Sequence, residues 1–268
     1  MEFETIRLEI EGNRAQVLLN RPERRNAINV KMVEELQAAF HAIEDSGQVR
    51  VVVLSAVGPD FCTGIDLTEF STKAVPDVHG FSRWEKVCRA LERLPAVTLA
   101  ATDGEVAGGG LQLALACDVR VATNRAFFHF HDVRMGFIPG MGTFRLAKFV
   151  GLGRARRIAL TGRKVQADEA ERIGLIDHLC DPNGLERAVD AAIDEFGPIH
   201  ADAVELIRRL VDESYESQWE DFLGNFLAAQ DRAIRSGDFR EHVARAHENK
   251  ARATGDKVPE RDDKEHGK

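Results

Sequence analysis

The sequence predicts an α/β fold whose final quarter is helical, and three observations predict it. Short β-rich runs alternate with helical ones through the first half of the chain, the pattern of strands connected by crossover helices. Residues 51–54 (VVVL) and 97–101 (VTLAA) are apolar without alternation, as strands of a parallel sheet are when both faces are covered. From about Gly151 the strand signals thin out, and Gly197-Pro198 is the clearest break before a helical stretch. The expected division is a core over residues 1–197 and a helical region over 198–268.

Taken in order, residues 15–19 (AQVLL) read as a strand. Val33, Leu36, Phe40 and Ile43 follow at i, i+3, i+7 and i+10, one apolar helix face that Asp45-Ser46-Gly47 stops. The strand at 51–54 leads through the turn Gly58-Pro59-Asp60 into FCTGIDL (61–67). That small-residue segment falls at the carboxyl edge of the sheet, where open α/β sheets bind ligands. STKAVPDVHG (71–80) has loop composition and is a candidate mobile segment over a site. After the strand at 97–101 comes GEVAGGGLQLALACD (104–118), in which Gly108, Gly109 and Gly110 stand at the mouth of an apolar helix. A glycine inside a helix costs roughly 0.5–1 kcal/mol relative to alanine, so a triplet marks close approach or unusual φ. Two roles fit it: tight packing of the helix, or donation of first-turn N–H groups to an anion or a developing oxyanion. The stretch from about residue 247 is charged and aperiodic and ends in RDDKEHGK, so its tip is expected to be disordered.

At 268 residues, 44% hydrophobic and 30% charged, the composition is that of a globular protein, and a formal charge of -8 argues against a phosphate-backbone partner. No run approaches the roughly 18 apolar residues of a membrane span, and the first dozen residues carry acids rather than a leader pattern. A cytoplasmic location, with neither nucleic acid nor membrane as partner, is the expectation. Cys62, Cys88, Cys117 and Cys180 lie far apart without a CxxC pair and are read as reduced. GLGRAR (151–156) lacks the third glycine of a dinucleotide fingerprint, so no nucleotide cofactor is indicated. His129 and His131 form an H-x-H pair without a third ligand, and no metal is expected.

NRPERRNAIN (20–29), FCTGIDL (61–67), GEVAGGGLQLALACDVRVAT (104–123), MGFIPGMGTFRL (135–146) and LTGRKVQADEAERIGLID (160–177) occur in this order. Together they resemble the crotonase superfamily, the enoyl-CoA hydratase/isomerase fold, over most of residues 3–196. The resemblance implies a spiral core of ββα units and a C-terminal helical region that packs on neighbouring subunits, in trimers or pairs of trimers. It implies an oxyanion hole made by the backbone N–H groups of Ile65 and Gly109, holding the thioester oxygen of an acyl-CoA. Coenzyme A then enters as part of the substrate, and no separate cofactor is needed. Substrate-binding positions implied by the matched blocks are Arg24, Arg25, Ala27, Cys62, Gly64, Asp66, Leu67, Phe130 and Ile138, with Lys250 in the helical tail. Asp66, beside the Ile65 donor, is read as holding its loop.

Two glutamates that activate water in the family's hydratases fall at Gln112 and Asp132 here. An amide cannot take a proton from water near neutral pH, so hydration gives way to another reaction. In FFHFHDVRMG (127–136), Phe128, Phe130 and Asp132 share one face if the chain is extended, with His129 and His131 on the other. A carboxylate beside two phenylalanines loses solvation, which suits a base that must give its proton back. The structural alternative for Asp132 is an ion pair with Arg134 or Arg145. Double-bond isomerisation with Asp132 as single base fits best, His131 being a second candidate for moving protons. The alternatives are hydrolysis of a carbon–carbon bond or thioester on the same fold, and noncatalytic acyl-CoA binding.

Overall fold

Backbone pairing, not composition, decides where the site lies. The computed structural model describes residues 3–69 and 78–254, with residues 78 and 249–254 as backbone alone. The chain divides into two compact units, Met1–Ile199 and His200–Lys268. In the first, β1 (Ile6–Glu11), β2 (Arg14–Leu19), α1 (Val30–Ser46), β3 (Val51–Ala56), α2 (Val78–Glu92) and β4 (Val97–Thr102) come in sequence. They are followed by β5 (Glu105–Ala107), α3 (Gly109–Leu115), β6 (Val119–Thr123), β7 (Phe127–His129), α4 (Gly142–Val150) and α5 (Leu152–Thr161). The unit closes with β8 (Val165–Gln166), α6 (Ala167–Arg172), β9 (His178–Cys180) and α7 (Leu185–Asp194).

Six strands form one sheet in the order β1-β2-β3-β4-β6-β9, antiparallel only between β1 and β2. The burial pattern follows that order. Ala15, Val17 and Leu19 of β2 are buried in alternation, whereas all six residues of β4 are buried, as the unbroken apolar run requires of a central parallel strand. The remaining three strands form a second sheet, β5-β7-β8, in which Ala107 stands level with His129 across the parallel pair β5/β7. Both of its leading strands run toward residues singled out in the sequence: β5 into the glycine triplet and β7 toward Asp132.

Helix α1 shows how local signals set its limits. Asn29 caps it by accepting from the Met32 N–H at 2.9 Å, and Gly47 ends it at φ 65°. Its inner face buries Met32, Leu36, Ala39, Phe40 and Ile43. Glu35 interrupts that face and is itself buried, accepting from the Glu4 N–H (2.9 Å), the Thr5 N–H (2.8 Å) and the Thr5 hydroxyl (2.5 Å). Burial pushes the carboxyl up, but these donors outweigh it and hold Glu35 below the ordinary carboxylate range. A depressed native value stabilises the fold above the ordinary value of about 4.3 and loses that contribution as pH falls through the native one. Glu35→Gln is therefore expected to cost about 1.5–3 kcal/mol at neutral pH and to flatten the acid limb of stability, measured by urea unfolding between pH 7 and 3. An unchanged acid limb would mean another carboxylate governs it.

Two expectations change here. Val78 to Gly80, read as loop, open α2, and residues 71–77 of that candidate segment lie outside the described residues. Residues 247–254 of the charged tail belong to a helix, Gly237–Thr254, while 255–268 lie outside the described residues. The second unit consists of α8 (Ala201–Glu213), α9 (Trp219–Arg235) and α10 (Gly237–Thr254). Arg232 of α9 pairs with Asp202 and Glu205 of α8 at 2.9 and 2.8 Å. Ile207, Val211, Leu223, Phe226 and Leu227 remain exposed, and Phe222 is half-buried. Among the described residues no helix is long and apolar enough to cross a membrane.

Candidate active site

The two small-residue segments meet backbone to backbone. Cys62 bridges Val106, its N–H donating to the Glu105 carbonyl (3.1 Å) and its carbonyl accepting from Ala107 (2.9 Å). On the other side Ile28 donates to the Gly64 carbonyl (2.7 Å) and accepts from Asp66 (2.8 Å). Gly64 has φ +94°, and a Cβ there would stand 3.5 Å from Gly108 Cα and 3.6 Å from the Gly109 nitrogen. Ile65 follows directly, so its N–H lies next to this contact. Neither the Ile65 nor the Gly109 N–H finds an acceptor among the described residues.

Each glycine of the triplet answers a different demand. Gly108 adopts φ 50°, ψ -119°, a conformation that L side chains rarely enter. A Cβ on Gly109 would come within 2.6 Å of Ile28 Cδ1, and one on Gly110 within 2.5 Å of Cys62 Cβ and 2.6 Å of the Cys62 carbonyl oxygen. The triplet thus serves packing and also leaves a bare stretch of backbone beside two free donors.

Asp132 lies against this backbone. Its carboxylate oxygens are 3.7 and 3.8 Å from where a Cβ on Gly108 would sit, and Gly108 in turn donates to the His129 carbonyl at 3.2 Å. The expected extended face is corrected: β7 stops at His129, and residues His131–Met135 form a 3-10 turn. His129 is buried as well as Phe128 and Phe130, held by Glu105 at 2.8 Å from its Nε2. Burial pushes His129 below the ordinary imidazole range despite that carboxylate. Asp132 is 5% exposed, and its Oδ2 is buried without a hydrogen-bond partner. Neither arginine considered for it takes the role. Arg145 pairs with Glu85 and Glu92 at 2.5 and 2.6 Å, and Arg134 donates to the Thr161 carbonyl. The His131 ring lies 5.1 Å from that of His129, tilted by 41°, and its Nδ1 is likewise buried and unpartnered. Gln112 is buried, its carboxamide 3.3–3.4 Å from the Cβ position of Gly140, with no hydrogen bond among the described residues.

The other sequence-derived positions divide by role. Asp66 accepts from the Thr68 N–H and hydroxyl (3.1 and 2.6 Å) and pairs with Arg21 at 3.0 Å. Burial pushes its carboxyl up, and these partners outweigh that and hold it low. It is a loop clamp. Arg25 is tied to Asp60 (2.7 Å) and Glu105 (2.5 Å), so its guanidinium is already matched by two carboxylates, whereas Arg24 is exposed without an ion pair among the described residues. The Ala27 carbonyl accepts from Arg21 at 2.5 Å. Cys62 is fully buried, and burial pushes its thiol up to about 12, which leaves it packing rather than reacting. Phe130 is buried against Gly142, while Leu67 and Ile138 are exposed. The Lys250 side chain lies outside the described residues. Among the described residues no group of three His, Cys, Asp or Glu side chains is placed to hold a metal ion.

Sequence reasoning missed Trp84. Its indole Cε2 and Cζ2 stand 3.6 Å from the Cβ position of Gly109, and its Nε1 is buried without a partner. The available signal was the buried i, i+4, i+7 set Trp84, Cys88 and Leu91 on an otherwise charged helix.

A family model described as enoyl-CoA hydratase/isomerase matches residues 9–249. The chain is 36% identical to a short-chain-enoyl-CoA hydratase of Clostridium acetobutylicum, over 69% of this chain and 72% of that one. It is 30% identical to a trans-2-decenoyl-(acyl-carrier-protein) isomerase of Streptococcus mutans, over 94% of this chain and 98% of the other. Among solved structures, the enoyl-CoA hydratase of Bacillus anthracis superposes with a TM-score of 0.82 at 27% identity, covering 96% and 98% of the two chains. A Thermobifida fusca structure in complex with CoA superposes with a TM-score of 0.79 at 30% identity, covering 86% and 93%.

Proposed function

Because the chain belongs to the enoyl-CoA hydratase/isomerase family, we propose that it migrates the double bond of an acyl-CoA thioester, with Asp132 as the single proton carrier. The observation that carries this reading is the buried, unpartnered Oδ2 of Asp132 against Gly108, with an amide, Gln112, at the companion position. The thioester oxygen accepts from the Ile65 and Gly109 N–H groups. Asp132 removes a C2 proton from a 3-enoyl thioester, and the electron pair spreads onto the thioester oxygen as a dienolate. Returning the same proton to C4 moves the double bond to C2–C3 and restores the carboxylate, with no water consumed. Each preorganised donor of such a hole is worth roughly 2.7–4 kcal/mol of transition-state stabilisation.

Hydrolysis of a thioester or carbon–carbon bond is the second reading, favoured by the unpartnered Nδ1 of His131 beside Asp132. Chromatographic separation of the isomers followed by mass spectrometry, applied to 2-enoyl-, 3-enoyl- and 3-oxoacyl-CoAs incubated in deuterated water, separates the two. Migration without added water is expected; cleavage products would move the assignment to hydrolysis, and no turnover on any member would leave only binding. Gln112→Glu supplies the missing second carboxylate and is expected to raise hydration of a 2-enoyl-CoA relative to migration by at least about tenfold, read on the same panel. The reading takes no cofactor apart from the substrate's own coenzyme A. It assigns the exposed Ile207, Val211, Leu223 and Phe226 to contacts between copies in a homotrimer or a pair of trimers.

A further inference from the structure

We propose that Trp84 is a specificity residue whose indole N–H donates to an oxygen carried by the acyl group near the thioester, so that the preferred enoyl-CoA substrates bear a hydroxyl or keto oxygen on the acyl chain rather than being plain hydrocarbon ones. The inference rests on the reading that an acyl-CoA thioester sits at the Ile65/Gly109 donors, and it names the class of acyl group.

Three observations carry it. The indole packs on the bare Cα of Gly109, its Cε2 3.6 Å from the missing Cβ, and Nε1 is one bond from that carbon. The indole ring therefore lies against Gly109, the residue whose N–H would hold the thioester. Its own N–H is also buried and unpartnered, and leaving such a donor unsatisfied is unfavourable. Its neighbour across Gly109 is the Ile28 Cδ1 methyl, a poor setting for a resident water, which needs two or more polar partners. A ligand oxygen meets the need directly.

Finally, the ring is held in place. Val87, Cys88 and Leu91 bury the same face of α2, and the adjacent Glu85 is gripped by both terminal nitrogens of Arg145 at 3.1 and 2.5 Å. Arg145 also takes Glu92, one helical stretch further on, at 2.6 Å. Burial lowers the arginine's basicity, but the two glutamates outweigh it, so the clamp keeps its charge. A donor fixed in this way discriminates by leaving itself unpaired when the substrate lacks the matching oxygen.

The test is calorimetric binding of butyryl-CoA and its 3-hydroxy, 3-oxo and 4-hydroxy counterparts to wild type and Trp84→Phe. At least one oxygenated member is expected to bind wild type about tenfold more tightly than butyryl-CoA, and Trp84→Phe is expected to erase that preference while leaving butyryl-CoA affinity in place. Equal weakening of every ligand would reduce Trp84 to packing and overturn the proposal without touching the catalytic reading. Binding of none by wild type would overturn both. Since the chain has 2 tryptophans, Trp219→Phe leaves Trp84 as the only indole in a protein whose site is untouched. The oxygenated ligand should then red-shift its emission relative to butyryl-CoA, and identical spectra would also refute the hydrogen bond.

Discussion

Asp132→Asn is expected to slow double-bond migration by a factor of about 10² to 10⁴, the range over which positioned acid–base groups act, with acyl-CoA affinity largely retained. The substitution is nearly isosteric, and Oδ2 has no hydrogen bond to lose, so the fold keeps its contacts. What disappears is the ability to accept a proton. The pattern to look for is a fall in turnover, with thermal stability and binding close to wild type. A rate no lower than that of an exposed substitution such as Glu186→Gln would remove Asp132 from the chemistry and leave His131 as the group to examine.

Gly110→Ala is expected to destabilise the protein and the candidate site together. The new Cβ would stand 2.5 Å from Cys62 Cβ and 2.6 Å from its carbonyl oxygen, and the latter is backbone held by Ala107 at 2.9 Å. No rotamer relieves such a contact. Overpacking of this kind costs about 1–3 kcal/mol or more, several degrees in melting temperature, and it pushes the Cys62–Ile65 segment away from α3, so turnover should fall as well. Gly153→Ala is the matched comparison, a helical glycine with nothing within 4 Å of its Cβ position. There a gain of about 0.4–1 kcal/mol is expected from the restricted unfolded chain. Equal melting temperatures for the two variants would mean that the Cys62 segment yields without cost.

The contrast between these sites shows which features were readable in advance. Unbroken apolar runs at β3 and β4, the stop of α1, and the close approach marked by Gly108 to Gly110 are local signals, and each corresponds to an observed element or contact. Asp132 was readable as a position but not as a geometry, because Phe128 to His131 alternate like a strand while the chain turns into a 3-10 helix after Phe130. Arg25 carried a charge suited to phosphate, yet Asp60 and Glu105, 35 and 80 residues away, take it up. Trp84 and its Arg145 clamp depend on a separation of 60 residues between Arg145 and Glu85, and no periodicity within one helix reports a partner on another.

The level pairing of Ala107 with His129 has a consequence for how this scaffold can change its trade. In the proposed reaction, one short parallel ladder would set both the frame that polarises the thioester and the position from which protons are moved, with the two following different strands. On that reading a codon change at Gln112 or Asp132 would alter which bond is remade, while the frame stays where the ladder put it. New reactions on this chain are then a matter of exchanging two side chains on a fixed chassis, and directed evolution would do best to leave β5 and β7 alone and randomise the residues that follow them.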